Sequence, residues 1–212
     1  KKSMEYEIRF YYSKNKKNDI LNKLDKINKI KNVGTFYEKT TQYNSMLPGN
    51  DFYSKEIDGR YRIRITKGES VSKCMLSWKR RLPDTKEGLI NKEEEIECNI
   101  DPNDYENFIY LTENILKMKR VESYERYRTN YVNDNIIISV DEYPFGIALE
   151  IEAKTSTNQE SIIDEYMKLL DLNYEDSFRL SWDDKYEELC KEQNITYAND
   201  VLFSCTDMPQ IK

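Results

Sequence analysis

The 212-residue chain contains no histidine, and this absence removes a large part of enzyme chemistry at once. Without imidazole there is no Ser-His or Cys-His nucleophile pair, and the commonest zinc ligand is missing. Catalysis would have to run on carboxylates, Lys, Arg, Tyr and a metal ion. Cysteine is scarce and scattered: Cys74, Cys98, Cys190 and Cys205 show no CxxC spacing, which argues against a zinc knuckle or a compact disulfide framework and reads as reduced thiols. No run of about 18 apolar residues occurs, and no hydrophobic signal region follows the opening Lys-Lys-Ser-Met. The expectation is a soluble, cytoplasmic protein with no membrane partner. Residues 1–3, ahead of Met4, are left unassigned. Internal repeats and low-complexity linkers are also missing, so one good-sized core in one domain is expected.

What is present is charge. Charged residues make up 34% of the chain and apolar ones 38%, but the apolar share includes 17 tyrosines, whose hydroxyl tips suit a wet interior cavity. The net charge of −6 gives the molecule no general attraction for nucleic acid, while a local basic pocket can still hold a phosphate.

Hydrophobic spacing predicts short strands interrupted by helices. The first strand runs from Met4 to Tyr12, and a helix is expected from Asn18 to Lys31, with Gly34 just beyond its end. A second helix should start at Asp101-Pro102, a cap followed by proline, and carry Tyr105, Phe108, Ile109 and Ile115. A capping box at Thr157-x-x-Glu160 announces a third. Between them lie alternating segments at 37–47, 61–66, 75–81, 93–98, 124–132, 136–142 and 147–153, spaced for hairpins and meanders. Asn133-Asp134-Asn135 reads as a tight connection through left-handed backbone angles, and Pro144 with Gly146 marks the next turn. Residues beyond about Gln193 have weak periodicity and read as a loosely attached tail.

Residues two apart in a strand share a face, so the charges can be sorted. Glu5, Glu7 and Arg9 oppose Tyr6, Ile8 and Phe10; Arg62 and Arg64 oppose Ile63 and Ile65; Glu95 and Glu97 flank Ile96; Arg126 and Arg128 flank Tyr127; Glu150 and Glu152 oppose Leu149 and Ile151. Ser77, Lys79 and Arg81 follow the same spacing less cleanly. A solvated outer sheet face would explain any one of these strands. The sorting of acids and bases onto different strands points instead to a shared hollow, in which a basic wall grips an anion and an acidic wall holds a metal. A triphosphate needs both: guanidinium forks match its oxygens, and Mg²⁺ or Mn²⁺ needs carboxylates such as Glu5 and Glu7.

At these residues the sequence resembles the CYTH, or triphosphate tunnel, superfamily of class IV adenylyl cyclases, thiamine triphosphatases and inorganic triphosphatases. The family's opening Glu-x-Glu-x-Lys is matched by Glu5-Tyr6-Glu7-Ile8-Arg9, its paired-base strand by Arg62-Ile63-Arg64 and its Leu-x-x-Lys strand by Leu76-Ser77-Trp78-Lys79. Glu95 and Glu97, Arg126 and Arg128, and Asp141, Gly146 and Glu150-Ile151-Glu152 follow in the family's order. The resemblance covers residues 4–190, leaving 191–212 as a C-terminal tail, and implies an α+β fold: an eight-stranded antiparallel β-barrel with flanking helices. It departs from the family at Gln42-Tyr43-Asn44, where an aspartate and paired tyrosines often stand, and its late Ser-Tyr signature is only approximated by Ser181 to Tyr186. The His-Phe pair that precedes the opening motif in many class IV cyclases is absent, which favours hydrolysis over cyclisation.

The resemblance implies a metal-dependent triphosphatase acting on inorganic triphosphate, a nucleoside triphosphate or thiamine triphosphate. Glu5, Glu7, Arg9 and Lys79 are the catalytic candidates. Arg62, Arg64, Lys79, Arg126, Arg128 and, more remotely, Lys185 would bind phosphate. Glu5, Glu7 and Glu152, assisted by Glu150 or Asp141, would ligate Mg²⁺ or Mn²⁺, and Glu95 and Glu97 would either ligate metal or orient arginines. Adenylyl cyclase activity is the alternative, and a non-catalytic module for a triphosphate nucleotide or an RNA 5′-triphosphate end is the second. A homodimer is left open. Trp78 and Trp182 read as core residues.

Overall fold

A computed structural model describes residues 2–82 and 90–212, with side chains from Met4 onward. Eight strands carry the architecture: β1 (Lys2–Tyr12), β2 (Lys31–Asn44), β3 (Gly59–Lys67), β4 (Ser72–Arg81), β5 (Asn91–Ile100), β6 (Lys119–Val132), β7 (Ile136–Tyr143) and β8 (Gly146–Ala153). They pair antiparallel in the order β2-β3-β4-β5-β1-β8-β7-β6, and β6 returns to pair with β2, closing an eight-stranded barrel. A two-residue strand, β9 (Asp200–Val201), adds to β6 in parallel at Ser123 and Tyr124. Four helices flank the barrel: α1 (Lys17–Asp25), α2 (Tyr105–Tyr110), α3 (Gln159–Leu169) and α4 (Trp182–Gln193).

The main apolar core lies outside the barrel. Ile8 and Phe10 of β1, Ile136, Ile138 and Val140 of β7, and Leu149 and Ile151 of β8 are buried against Ile20 and Leu24 of α1 and Ile163 and Met167 of α3. Because the side-chain period of a strand is two, committing these residues to the helices turns Glu7, Arg9, Ser139, Asp141, Glu150 and Glu152 to the bore. A second cluster joins Trp182, Tyr186 and Leu189 of α4 to Tyr124, Tyr143, Phe145 and Ala148, so that α4 gives the bore an aromatic wall.

Several local expectations change. The helix expected to Lys31 stops at Asp25; Ile27 and Ile30 close turns onto Leu24 and Ile27, because residues from Lys31 onward are taken into pairing with Val132 of β6. Gly34 is not a helix terminus. It sits at φ +109° inside β2, where the register shifts between Asn32 and Thr35, as a β-bulge. The second helix begins with a 3-10 turn, Pro102–Asp104, with Asp101 accepting a hydrogen bond from Asn103 N at 2.9 Å. It ends as a π-turn over Leu111–Ile115 that leaves Ile115 exposed. The Thr157 capping box does not form: Asn158, in the left-handed region, precedes α3 without a side-chain cap. A box forms instead at α4, where the Asp184 carboxylate accepts from Ser181 N at 3.0 Å and Ser181 Oγ accepts from the backbone N–H of Asp184. The β6–β7 turn forms at Asn133-Asp134-Asn135 without positive φ angles. Asn133 Oδ1 makes the turn by accepting from Asn135 N at 2.8 Å and Ile136 N at 3.0 Å.

The segment after Gln193 is tied down. Val201 is fully buried, Tyr197 Oη donates to Glu122 at 2.5 Å, and Ile211 N donates to Phe145 O at 2.9 Å. Gly146 makes room for it, since a Cβ there would stand 2.5 Å from Ile211 Cδ1.

Candidate active site

The bore contains a cavity of about 320 Å³ lined by Glu5, Arg9, Arg62, Arg64, Lys79, Glu95, Glu97, Arg126, Arg128, Glu150 and Glu152 among the expected residues. Glu7 and Asp141, both fully buried, stand behind this lining, bonded to Arg9 and to Arg128 respectively. Lys185 lies elsewhere: its Nζ pairs with Glu188 at 3.3 Å and covers the Phe178 ring at 5.2 Å.

Strand order converts the sorting of charges along the sequence into two walls. β5, β1 and β8 are consecutive neighbours, and they bring together Glu93 and Glu95, Glu5 and Glu7, and Glu150 and Glu152. Glu5 faces Glu93 across β1–β5, and Glu7 faces Glu152 across β1–β8. On the other side, β3 carries Arg60, Arg62 and Arg64 on its bore face, and β4 carries Lys79 and Arg81.

The cations differ in how fully they are held. Arg128 donates to both oxygens of Asp141 at 2.6 and 2.7 Å, and Arg126 donates to Glu38 at 2.6 Å and Asp141 at 3.2 Å. Arg9 donates to Glu150 at 3.0 and 2.7 Å and to Glu7 at 3.0 Å. These forks are fixed by charge-assisted bonds. Arg62 and Arg64 are held more lightly. Arg62 donates to Ser77 at 3.1 Å and reaches Glu95 at 3.4 Å, while Arg64 donates to Thr40 at 2.9 Å and Tyr124 Oη at 3.0 Å. Their remaining N–H groups are the donors available to an incoming anion. Lys79 lies between the walls, 2.7 Å from Glu5, 2.7 Å from Glu93 and 3.5 Å from Glu7.

The carboxylates of the acidic wall differ in how burial and the neighbouring charges balance, and although burial opposes it, Glu150 is held low by Arg9, Arg128 and Lys79. Burial, and then the nearby Glu5 carboxylate, push Glu152 up to about 9. Burial raises Glu5 to about 7 despite Lys79. Glu38 goes the other way: against the effect of burial, Arg126, Arg64 and Arg128 hold it well below the usual carboxylate range. Burial opposes ionisation of Tyr124 as well, yet Arg64, Arg126 and Arg62 draw its phenol down to about 7. A divalent ion fits this donor set. Two triads have oxygens within 4.8 Å of one another, Glu5–Glu7–Glu93 and Glu7–Glu150–Glu152, and hard carboxylate oxygens are the ligands Mg²⁺ and Mn²⁺ prefer.

Sequence reading missed Glu38, Thr40, Arg60, Glu93 and Tyr124. Glu38, Thr40 and Gln42 alternate on the bore face of β2, and Arg60 and Glu93 extend the series at Arg62 and Glu95. Glu38, Thr40 and Glu93 lie inside the alternating segments 37–47 and 93–98, where the same face-sorting was not carried through, and Arg60 lies one residue before the segment at 61–66. Nothing in the sequence signalled Tyr124, because its role depends on Arg64 coming from another strand. Of the two tryptophans, Trp182 is buried and lines the cavity, with its Nε1 donating to Gln42 at 3.1 Å. Trp78 lies on the outer face, packed on Phe52 at 5.0 Å.

No family model matches the chain, and no curated protein matches it. Solved structures do. A Pyrococcus horikoshii protein is similar at 25% identity with a TM-score of 0.66, over 89% of this chain and 99% of that one. A Hippeastrum protein with a dominant triphosphatase activity is similar at 17% identity with a TM-score of 0.58, over 91% and 97%. A chain of the Schizosaccharomyces pombe Mediator head module is similar at 9% identity with a TM-score of 0.58, over 80% and 95%. That one barrel serves such different proteins means that its activity must be sought in the residues of the bore. The chain therefore has the eight-stranded antiparallel barrel with flanking helices that its sequence resemblance implied, and it shares that fold with these structures.

Proposed function

We propose that the chain is a metal-dependent triphosphatase, acting on inorganic triphosphate, a nucleoside triphosphate or thiamine triphosphate. The observation that carries this reading is the meeting, in one cavity, of an arginine wall with spare donors and a three-strand acidic wall. Arg62 and Arg64 take the anion, and Arg126 and Arg128, aimed by Glu38 and Asp141, present fixed positive charge to the oxygens that gain charge in the transition state. Glu5, Glu7 and Glu152 would hold Mg²⁺ or Mn²⁺, with Glu150 anchoring Arg9. Asp141 serves the arginines, since Arg128 engages both of its oxygens. Bound there, the metal would supply Lewis-acid polarisation of a phosphoryl oxygen and lower the pKa of water. No covalent nucleophile is needed, in keeping with the absence of histidine.

The test is a panel of inorganic triphosphate, ATP and thiamine triphosphate incubated with Mg²⁺ or Mn²⁺, with products separated by chromatography. Orthophosphate release is expected. Pyrophosphate with cyclic nucleotide would replace this reading by adenylyl cyclase, and tight binding without product would replace it by a binding module. Glu7→Gln is expected to abolish turnover and leave the circular dichroism spectrum unchanged; normal turnover in that variant removes Glu7 from the metal set.

A further inference from the structure

We infer that the Lys79 ammonium occupies a divalent-cation position formed by Glu5, Glu7 and Glu93, and that Lys79 gives this position up to a metal and swings to the anion. This rests on the metal reading of the same cavity and adds Glu93 to it as a ligand. Two independent observations coincide. The oxygens of Glu5, Glu7 and Glu93 converge within 4.8 Å, and the side chain placed among these three is a cation, at 2.7, 3.5 and 2.7 Å respectively. Glu93 is 7% exposed, and its Oε2 has no aligned hydrogen-bond donor among the described residues. Its 2.7 Å contact with Lys79 is within ion-pair range without hydrogen-bond geometry, the relation of a carboxylate facing a point charge.

Topology gives the ammonium a second place to go. β4 lies between the arginine-bearing β3 and the acidic β5, with Lys79 directly opposite Arg60 on one side and Glu95 on the other. A flexible four-carbon stem carrying a compact charge can serve either wall, which a planar guanidinium held by two bonds cannot. Two buried carboxylates, Glu7 and Glu93, and the half-buried Glu5 would repel one another strongly without a cation. Lys79 therefore keeps the acidic wall together before metal arrives, and competes with the metal for it.

The test is Mn²⁺ titration by calorimetry with no phosphate present, on the wild type and on Lys79→Met, which keeps the length of the stem and removes its charge. Mn²⁺ is expected to bind Lys79→Met about tenfold or more tightly, and Glu93→Gln added to that variant should reverse the gain. Equal or weaker Mn²⁺ binding by Lys79→Met overturns the inference, and an unaltered affinity on adding Glu93→Gln removes Glu93 from the site. If Lys79→Met does not fold, Lys79→Gln is read by the same criteria. The result is separable from the triphosphatase reading: tighter Mn²⁺ binding without phosphate release from any triphosphate would keep the exchange and discard the activity, and the reverse result would do the opposite.

Discussion

Glu122 shows how a single side chain in this barrel couples stability to pH. It is buried at 6% exposure and accepts from Tyr197 Oη and, at 3.4 Å, from Gln42 Nε2. Burial, and then the Asp183 carboxylate, raise its pKa from 4.5 to about 7. The folded chain therefore binds more protons than the unfolded chain between these values, so stability falls as pH rises through that window. Glu5, raised to about 7, and Glu152, raised to about 9, act in the same direction. The thermal midpoint of metal-free protein should be lower at pH 8 than at pH 5, and Glu122→Gln should narrow the difference; an unchanged gap would show that Glu122 titrates normally. At this scale the Glu5–Glu7–Arg9 triplet of β1 and the pairs Arg62–Arg64 of β3 and Glu150–Glu152 of β8 were readable from alternation alone. The counter-ions that fix them were less so, since the Arg126–Glu38 pair joins residues 88 apart in the chain.

Among the elements, the β6–β7 hairpin depends on one side chain. Asn133 Oδ1 accepts two backbone N–H groups, and its Nδ2 donates to Lys29 O at 3.0 Å and Tyr166 Oη at 2.9 Å. With four hydrogen bonds at about 0.5–1 kcal/mol net each at this partly exposed turn, Asn133→Ala should cost about 2–4 kcal/mol, seen as a lower urea midpoint with an unchanged m-value; Asn133→Asp, which keeps the accepting oxygen, should cost less. Strands were more legible than helices because their alternation is enforced by two unlike surroundings, an apolar flank and a charged bore. The helix drawn to Lys31 failed because apolar residues at helical spacing, Ile27 and Ile30, pack on the core from turns just as well.

For the whole molecule, the C-terminal segment belongs to the folded body. β9 continues the sheet beside β6 at Ser123 and Tyr124, where β7, paired from Tyr127 onward, does not reach. Val201→Asp would bury a charge with no partner and should cost about 3 kcal/mol or more, measured by urea unfolding; a loosely attached tail would tolerate it. The weak periodicity of this segment concealed the attachment, because two residues of strand and a few anchoring contacts leave no repeating pattern.

Barrel closure through β2 and β6 has a consequence for the chain before it is finished. Until these strands meet, the sheet has two free edges, and an open edge invites pairing with a second molecule. Here the edges carry Glu38 on one side and Arg126 and Arg128 on the other. Across this seam Glu38 lies opposite Arg126 and Lys39 opposite Glu125, so each edge meets opposite charges on its own chain. The Glu38–Arg126 pair inside the bore thus also favours closing the sheet on itself over leaving an edge open to a second molecule.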